Sequence, residues 1–102
     1  MSRSYTNQEA IDNLLDRFIV LLNYWENEDI GSKSKLEGLL FSILTTLDGA
    51  SSDIPAFNLT PAPHPDDKEY HVKEEENYYG ETPINEDVYL HEMLVNKLKT
   101  ST

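Results

Sequence analysis

The sequence predicts a helix-dominated α+β fold: an antiparallel helical hairpin, a small β element and a short C-terminal helix. Three observations carry this reading. Apolar residues recur at helical spacing through the first half, up to Gly49. Short apolar–polar alternations follow, separated by prolines, and leucines return at four-residue spacing near the end. At 102 residues the chain has the length of one core, so residues 1–102 are read as a single domain. A chain this short buries only roughly 60–70% of its unfolded surface, so little stability is to spare.

The first helix starts at a capping box. Thr6 and Glu9 stand three residues apart, which lets hydroxyl and carboxylate satisfy each other's backbone N–H groups. Ile11, Leu14, Leu15, Phe18, Ile19, Leu22 and Trp25 then form one broad apolar face, giving a helix over about 7–26. A polar connection through residues 27–33, with Gly31, precedes a second box at Ser34 and Glu37, with Ser32 as a rival cap. Leu36, Leu39, Leu40, Ile43, Leu44 and Leu47 repeat the spacing over about 34–48. Gly49 stands where a left-handed residue ends a helix. Two stripes joined by so short a loop make an antiparallel hairpin. Val20 and Phe41 lie off the stripes, to be covered by a third element or by an oligomer contact.

Region 54–82 reads as β structure and loop. Phe57 to Thr60 alternates apolar and polar, as does Tyr70 to Lys73. Pro61, Pro63 and Pro65 between them exclude helix or central strand, and two strands alone are marginal unless packed on the helices. Thr82-Pro83, or Asn85, with Glu86 and Asp87 at the positive dipole end, opens a last helix over about 85–98. Val88, Leu90, Leu94, Val95 and Leu98 supply its apolar face, and Lys97 and Lys99 suit its negative end.

Eight Lys and Arg face nineteen Asp and Glu, a formal charge of −11 that argues against a reader of nucleic-acid phosphates. The imbalance concentrates in 66–92, with ten acidic and two basic side chains. The absence of cysteine excludes disulfides, thiolate zinc sites and cysteine nucleophiles. No apolar run approaches the roughly 18–20 residues of a membrane span, and the opening MSRSYTNQ lacks a signal-peptide core. A cytoplasmic protein is expected, without membrane association.

Chemistry-bearing residues gather in 61–79, PAPHPDDKEYHVKEEENYY. The candidate binding residues are His64, Asp66, Asp67, Lys68, Glu69, Tyr70, His71, Tyr78 and Tyr79. Four readings compete. His64, Asp66 and His71 are weak metal candidates, and a hydrolase would centre on them with Asp67. Their H-P-D-D-x-x-x-H spacing matches no established ligand pattern, and Val95 stands where His91-Glu92 would need a second histidine. Asp66, Asp67, Glu69 and Glu92 offer carboxylates for acid–base work, but nothing places one in an apolar pocket. Neither Gly-rich phosphate loop nor nucleophile elbow occurs, so no catalytic residue and no cofactor is assigned. Tyr70, Tyr78, Tyr79 and Tyr89 beside His64, Lys68, His71 and Lys73 could instead hold a nucleotide-like ligand, against the local negative field. An acidic surface bearing tyrosines suits a basic protein surface better, including a groove that normally holds nucleic acid. The fourth reading is architectural: Pro and Tyr shape a long loop that the acids keep soluble. Asn58-Leu59-Thr60 formally matches a glycosylation acceptor but reads as strand.

The strings LEGLLFSILTTLDG (36–49), PAFNLTPAPHPDDKEYHV (55–72), ENYYG (76–80) and LHEM (90–93) resemble a group of small uncharacterised bacteriophage and prophage proteins. The likeness covers roughly residues 35–95, and P-H-P-D-D-K-E-Y-H is its most specific part. It implies a phage gene product acting in the cytoplasm of a bacterial host and transfers no functional residue. Small acidic phage proteins are often inhibitors of host machinery or defence, so a defence or nucleic-acid-handling protein is the expected kind of target. The expectation is therefore a non-enzymatic accessory protein that blocks a host factor, ahead of a nucleotide-like ligand sequestrant and a metal-dependent hydrolase. Self-association is expected too, because two strongly apolar helices offer more surface than one short third helix covers.

Overall fold

The computed structural model describes residues 2–51 and 53–100. It holds four helices, α1 (Asn7–Glu26), α2 (Ser32–Leu47), α3 (Asp67–Lys73) and α4 (Leu90–Thr100), and no strand among the described residues. The fold is all-helical, so the expected α+β class and its β element are overturned. The chain forms two compact units: one contains α1, α2 and α4, and the other is the segment 57–88 around α3.

In the first unit, α1 begins as its sequence dictates. Thr6 Oγ1 accepts from the Glu9 N–H at 3.1 Å, and Glu9 Oε1 accepts from the Thr6 N–H at 2.9 Å. Arg3 grips the same carboxylate bidentately at 2.7 and 2.9 Å, and this contact, with the Thr6 bonds, holds Glu9 down to about 2. The second expected box does not form. Helix α2 starts at Ser32 behind Gly31, which has extended backbone and no side-chain cap, so Ser34 is already inside the first turn. A hydroxyl can cap only from the non-helical position that precedes the first turn.

The hairpin closes differently from its stripes. Trp25 lies flat against Gly38, and its Nε1–H donates to Ser42 Oγ at 2.9 Å. Leu21 meets Ser42, Thr45 and Thr46 around a common cavity. Thus the half-buried stripe of Leu14, Phe18, Leu21 and Trp25 on α1 faces a seam that on α2 includes the small residues Gly38, Ser42, Thr45 and Thr46. Leu44 turns instead to Leu90, Met93 and Leu94 of α4. The Phe41 ring meets His91 edge-on at 5.3 Å, so the third element partly covers Phe41, while Val20 stays exposed.

The end of α2 obeys its glycine. Gly49 has φ 84°, and the N–H groups of Gly49 and Ala50 donate to Thr46 and Thr45 carbonyls at 3.1 Å each. This is the paired hydrogen bonding of a left-handed helix stop. Ala56 occupies the space that a Cβ on Gly49 would need.

In the second unit, Tyr70 to Lys73 is helical, not a strand. Four residues of alternation cannot separate the two periods, and Asp67 and Glu69 at the start with His71 and Lys73 at the end suit a helix dipole. Phe57 to Thr60 is neither helix nor strand, and finds no partner strand among the described residues. Its hydrogen bonds go to Asn85, whose Oδ1 accepts from the Leu59 N–H and whose Nδ2–H donates to the Phe57 carbonyl, both at 2.7 Å. The Ile84 N–H adds a bond to the Leu59 carbonyl at 2.8 Å. One buried amide therefore does the pairing that a second strand would have done. The same use of Asn85 explains why the last helix starts at Leu90 and not near 85, with Asp87 left-handed at φ 60°.

Helix α3 ends like α2, but without a glycine. Glu75 is left-handed at φ 58°, and the N–H groups of Glu75 and Glu76 donate to the carbonyls of Val72 and His71 at 3.2 and 2.8 Å. A side chain in this conformation costs about 1–2 kcal/mol, of which the extra unfolded-state freedom of glycine takes back part. Glu75→Gly is expected to stabilise α3 by about 0.5–1 kcal/mol, read as slower amide exchange across the helix.

Candidate functional site

All nine candidate residues fall within 57–88, which carries nine acidic and two basic side chains. The backbone that presents them is closed on both sides of α3. Ahead of it, the Asp67 N–H donates to the His64 carbonyl at 2.9 Å, and Asp67 Oδ2 accepts from the His64 N–H at 3.0 Å. His64 Nδ1 accepts from the Asp66 N–H at 3.2 Å. Behind it, His71 Nδ1 lies 3.4 Å from Glu76 Oε1, over the left-handed stop. Asp67, His64 and His71 thus spend hydrogen-bonding capacity on local turns.

The rings are presented outward. Tyr70 is 59% exposed and Tyr79 77% exposed, while Tyr70 stands edge-on to His71 at 5.3 Å. Lys68 Nζ sits over the Tyr78 ring, 5.2 Å from its centroid. That contact partly neutralises the acidic surface and covers one face of Tyr78, which removes a stacking platform a nucleotide base would have used. Asn77, Tyr78 and Tyr79 border a shallow depression of about 320 Å³.

The structure does not gather the metal candidates. Among the described residues, no group of three or more His, Asp or Glu is placed to hold an ion, so His64, Asp66 and His71 do not form a ligand set. Asp66, Asp67 and Glu69 are all exposed, and Glu92 belongs to the other unit. None of these four carboxylates is buried, so burial does not set a pair of them apart as acid–base work requires.

Two polar residues that organise the molecule were not legible as such. The first is Asn85, which locally reads only as a helix cap. The second is Asp48, the last residue of the turn closing α2. Its side chain is wholly covered, and its oxygens accept from the Leu90 N–H (2.9 Å), the His91 N–H (2.9 Å) and His91 Nδ1 (2.6 Å). A carboxylate only accepts, so Nδ1 carries the proton and the ring is fixed in one tautomer. Burial by itself pushes the Asp48 carboxyl up, but the two backbone N–H groups and the imidazole outweigh it and hold the group below its ordinary value. The pair resembles a catalytic dyad in outline, yet every bond serves to anchor the first turn of α4. The only signal for it in the sequence is an Asp just before a helix-stop glycine.

Among the described residues no helix is long and apolar enough to cross a membrane. Comparison with protein-family models, with curated proteins and with solved structures finds no match.

Proposed function

We propose that this chain is a non-enzymatic accessory protein of phage or prophage origin. It binds a basic surface of a host protein in the bacterial cytoplasm and blocks that surface sterically. The observation that supports this reading is the outward presentation of Tyr70 and Tyr79 among the acids of a segment whose turns are closed by their own hydrogen bonds. Tyrosine has only two side-chain torsions and so loses little freedom on binding, and rings of this size supply anchors for an interface. The surrounding carboxylates supply long-range attraction to a cationic groove and repulsion of nucleic acid.

The test is capture of host proteins on the immobilised full chain at rising salt. Exposed charges are screened over about 8–10 Å near physiological ionic strength, so retention is expected to fall steeply as salt rises. The double substitution Tyr70→Ala/Tyr79→Ala is expected to weaken binding of the captured partner by about tenfold or more. Retention that ignores salt, or that survives loss of both rings, counts against the proposal.

A further inference from the structure

The turn that closes α2 is built on Asp48 and Gly49, the one Asp-Gly pair in the sequence, which has no Asn-Gly pair. An aspartate followed by glycine is prone to rearrange, because glycine has no Cβ to keep its nitrogen away from the neighbouring carboxyl. The Gly49 nitrogen attacks Asp48 Cγ, a C–N bond forms, and one carboxyl oxygen leaves as water. The five-membered succinimide then takes water back. Cleavage of the new Cγ–N bond returns aspartate. Cleavage of the original peptide bond leaves isoaspartate, with the main chain routed through Cβ and Cγ.

The fold needs this pair and also holds its chemistry off. Gly49 supplies the left-handed residue, at φ 84°, that stops α2, and Asp48 supplies the carboxylate that anchors α4. The succinimide requires Asp48 Cβ and the Gly49 nitrogen on the same side of the Cα–C bond. At ψ −6° the Asp48 nitrogen takes that place, so Cβ is turned away. Asp48 Oδ1 accepts from the Leu90 N–H, and Oδ2 accepts from the His91 N–H and Nδ1–H. Cγ therefore cannot swing onto Gly49 without letting go of α4. The Gly49 N–H is itself given to the Thr46 carbonyl at 3.1 Å. The same donors favour the ionised carboxylate, a poorer electrophile than the acid. Yet α4 is the helix this unit sheds most easily: among the described residues it packs on α2 and not on α1, and none of its residues is buried.

We propose that Asp48–Gly49 is a site of spontaneous isoaspartate formation that docked α4 keeps closed, so that detachment of α4 becomes covalently permanent. Isoaspartate adds one carbon to the main chain and shortens the side group by one. The Leu90 and His91 N–H groups then lose the carboxylate aimed at them, and a reversible local opening becomes a one-way step.

The full chain, aged in warm neutral buffer, is cut with an endoproteinase that cleaves before aspartate and not before isoaspartate, and the missed cut at 48 is scored. Wild type unfolded in urea gives the unprotected rate. Folded wild type is expected to react at least about tenfold more slowly, because only its open fraction reacts. Leu90→Pro/His91→Ala removes two of the three donors, and proline suits the first position of α4, so this variant should recover most of that factor. A second measurement does not depend on that variant folding. In wild type at sub-denaturing urea, isomerisation should rise with amide exchange of α4 and ahead of exchange of α1. Equal rates in folded and unfolded wild type overturn the proposal, as does isomerisation that appears only with exchange of α1. The isoaspartate form, separated from the rest, should have lost amide protection in α4, and retained protection there refutes the permanence.

Discussion

Asp48→Asn is expected to lower the stability of the helical unit by about 2–4 kcal/mol, the sum of a lost cap and weakened charged hydrogen bonds to groups left covered. An amide retains one acceptor and turns an N–H towards groups that themselves donate. For a chain of this size that is a fall in melting temperature on the order of 10–20 °C. His91→Ala should cost less, because the Leu90 and His91 backbone bonds to Asp48 survive it. The pH dependence follows from the lowered carboxyl. A group that loses its proton more readily when folded stabilises fully above its unfolded pKa, about 3.9, and loses that contribution as pH falls through the lower folded value. The stability gap between the wild-type chain and Asp48→Asn should therefore be constant above about pH 5 and shrink below about pH 4. Denaturant unfolding at stepped pH reads it directly. A gap independent of pH would mean that the charge on Asp48 does not hold α4.

Gly38→Ala is expected to destabilise, although alanine is the better helix former by about 1 kcal/mol. A Cβ at Gly38 would stand 2.5 Å from Trp25 Cζ3 and 2.6 Å from Cη2. The indole cannot simply retreat. Ser42 holds its Nε1–H, and Tyr24 stands edge-on to it at 5.2 Å. Overpacking of this kind costs about 1–3 kcal/mol, which exceeds the propensity gain over most of that range. Urea unfolding of Gly38→Ala, Trp25→Leu and the double variant checks the cause. The double variant should be more stable than the two single losses predict, because a smaller residue at 25 frees the space that alanine takes. Additive losses would place the two residues in separate environments.

Local rules accounted for two helix boundaries but not for the start of α2, where Gly31 stands at the cap in place of the expected Ser34–Glu37 box. Thr6 and Glu9 placed the start of α1, and Gly49 placed the stop after α2, because both act across a single turn. The exposure of Tyr70 and Tyr79 was also legible, since a segment so rich in acids cannot be buried without large desolvation costs. The short alternation at 70–73 failed because four residues do not define a period.

The chain's own order of residues was sufficient to state that two amphipathic helices form a hairpin and that an acidic, tyrosine-bearing segment follows it. Only folding in three dimensions decided which side of each helix meets which. The broad stripe of α1 divided into a half-buried part and an exposed part, and α2 set Gly38 and Ser42 against Trp25, where a side chain at 38 would collide with the indole. Folding also decided what holds the ends. Asp48 anchors α4 across more than forty residues, and Asn85 pairs with the backbone of Phe57 and Leu59. Hydrogen bonds between groups so far apart leave no periodic trace in a sequence, since their partners are set by where the chain returns and not by spacing along it.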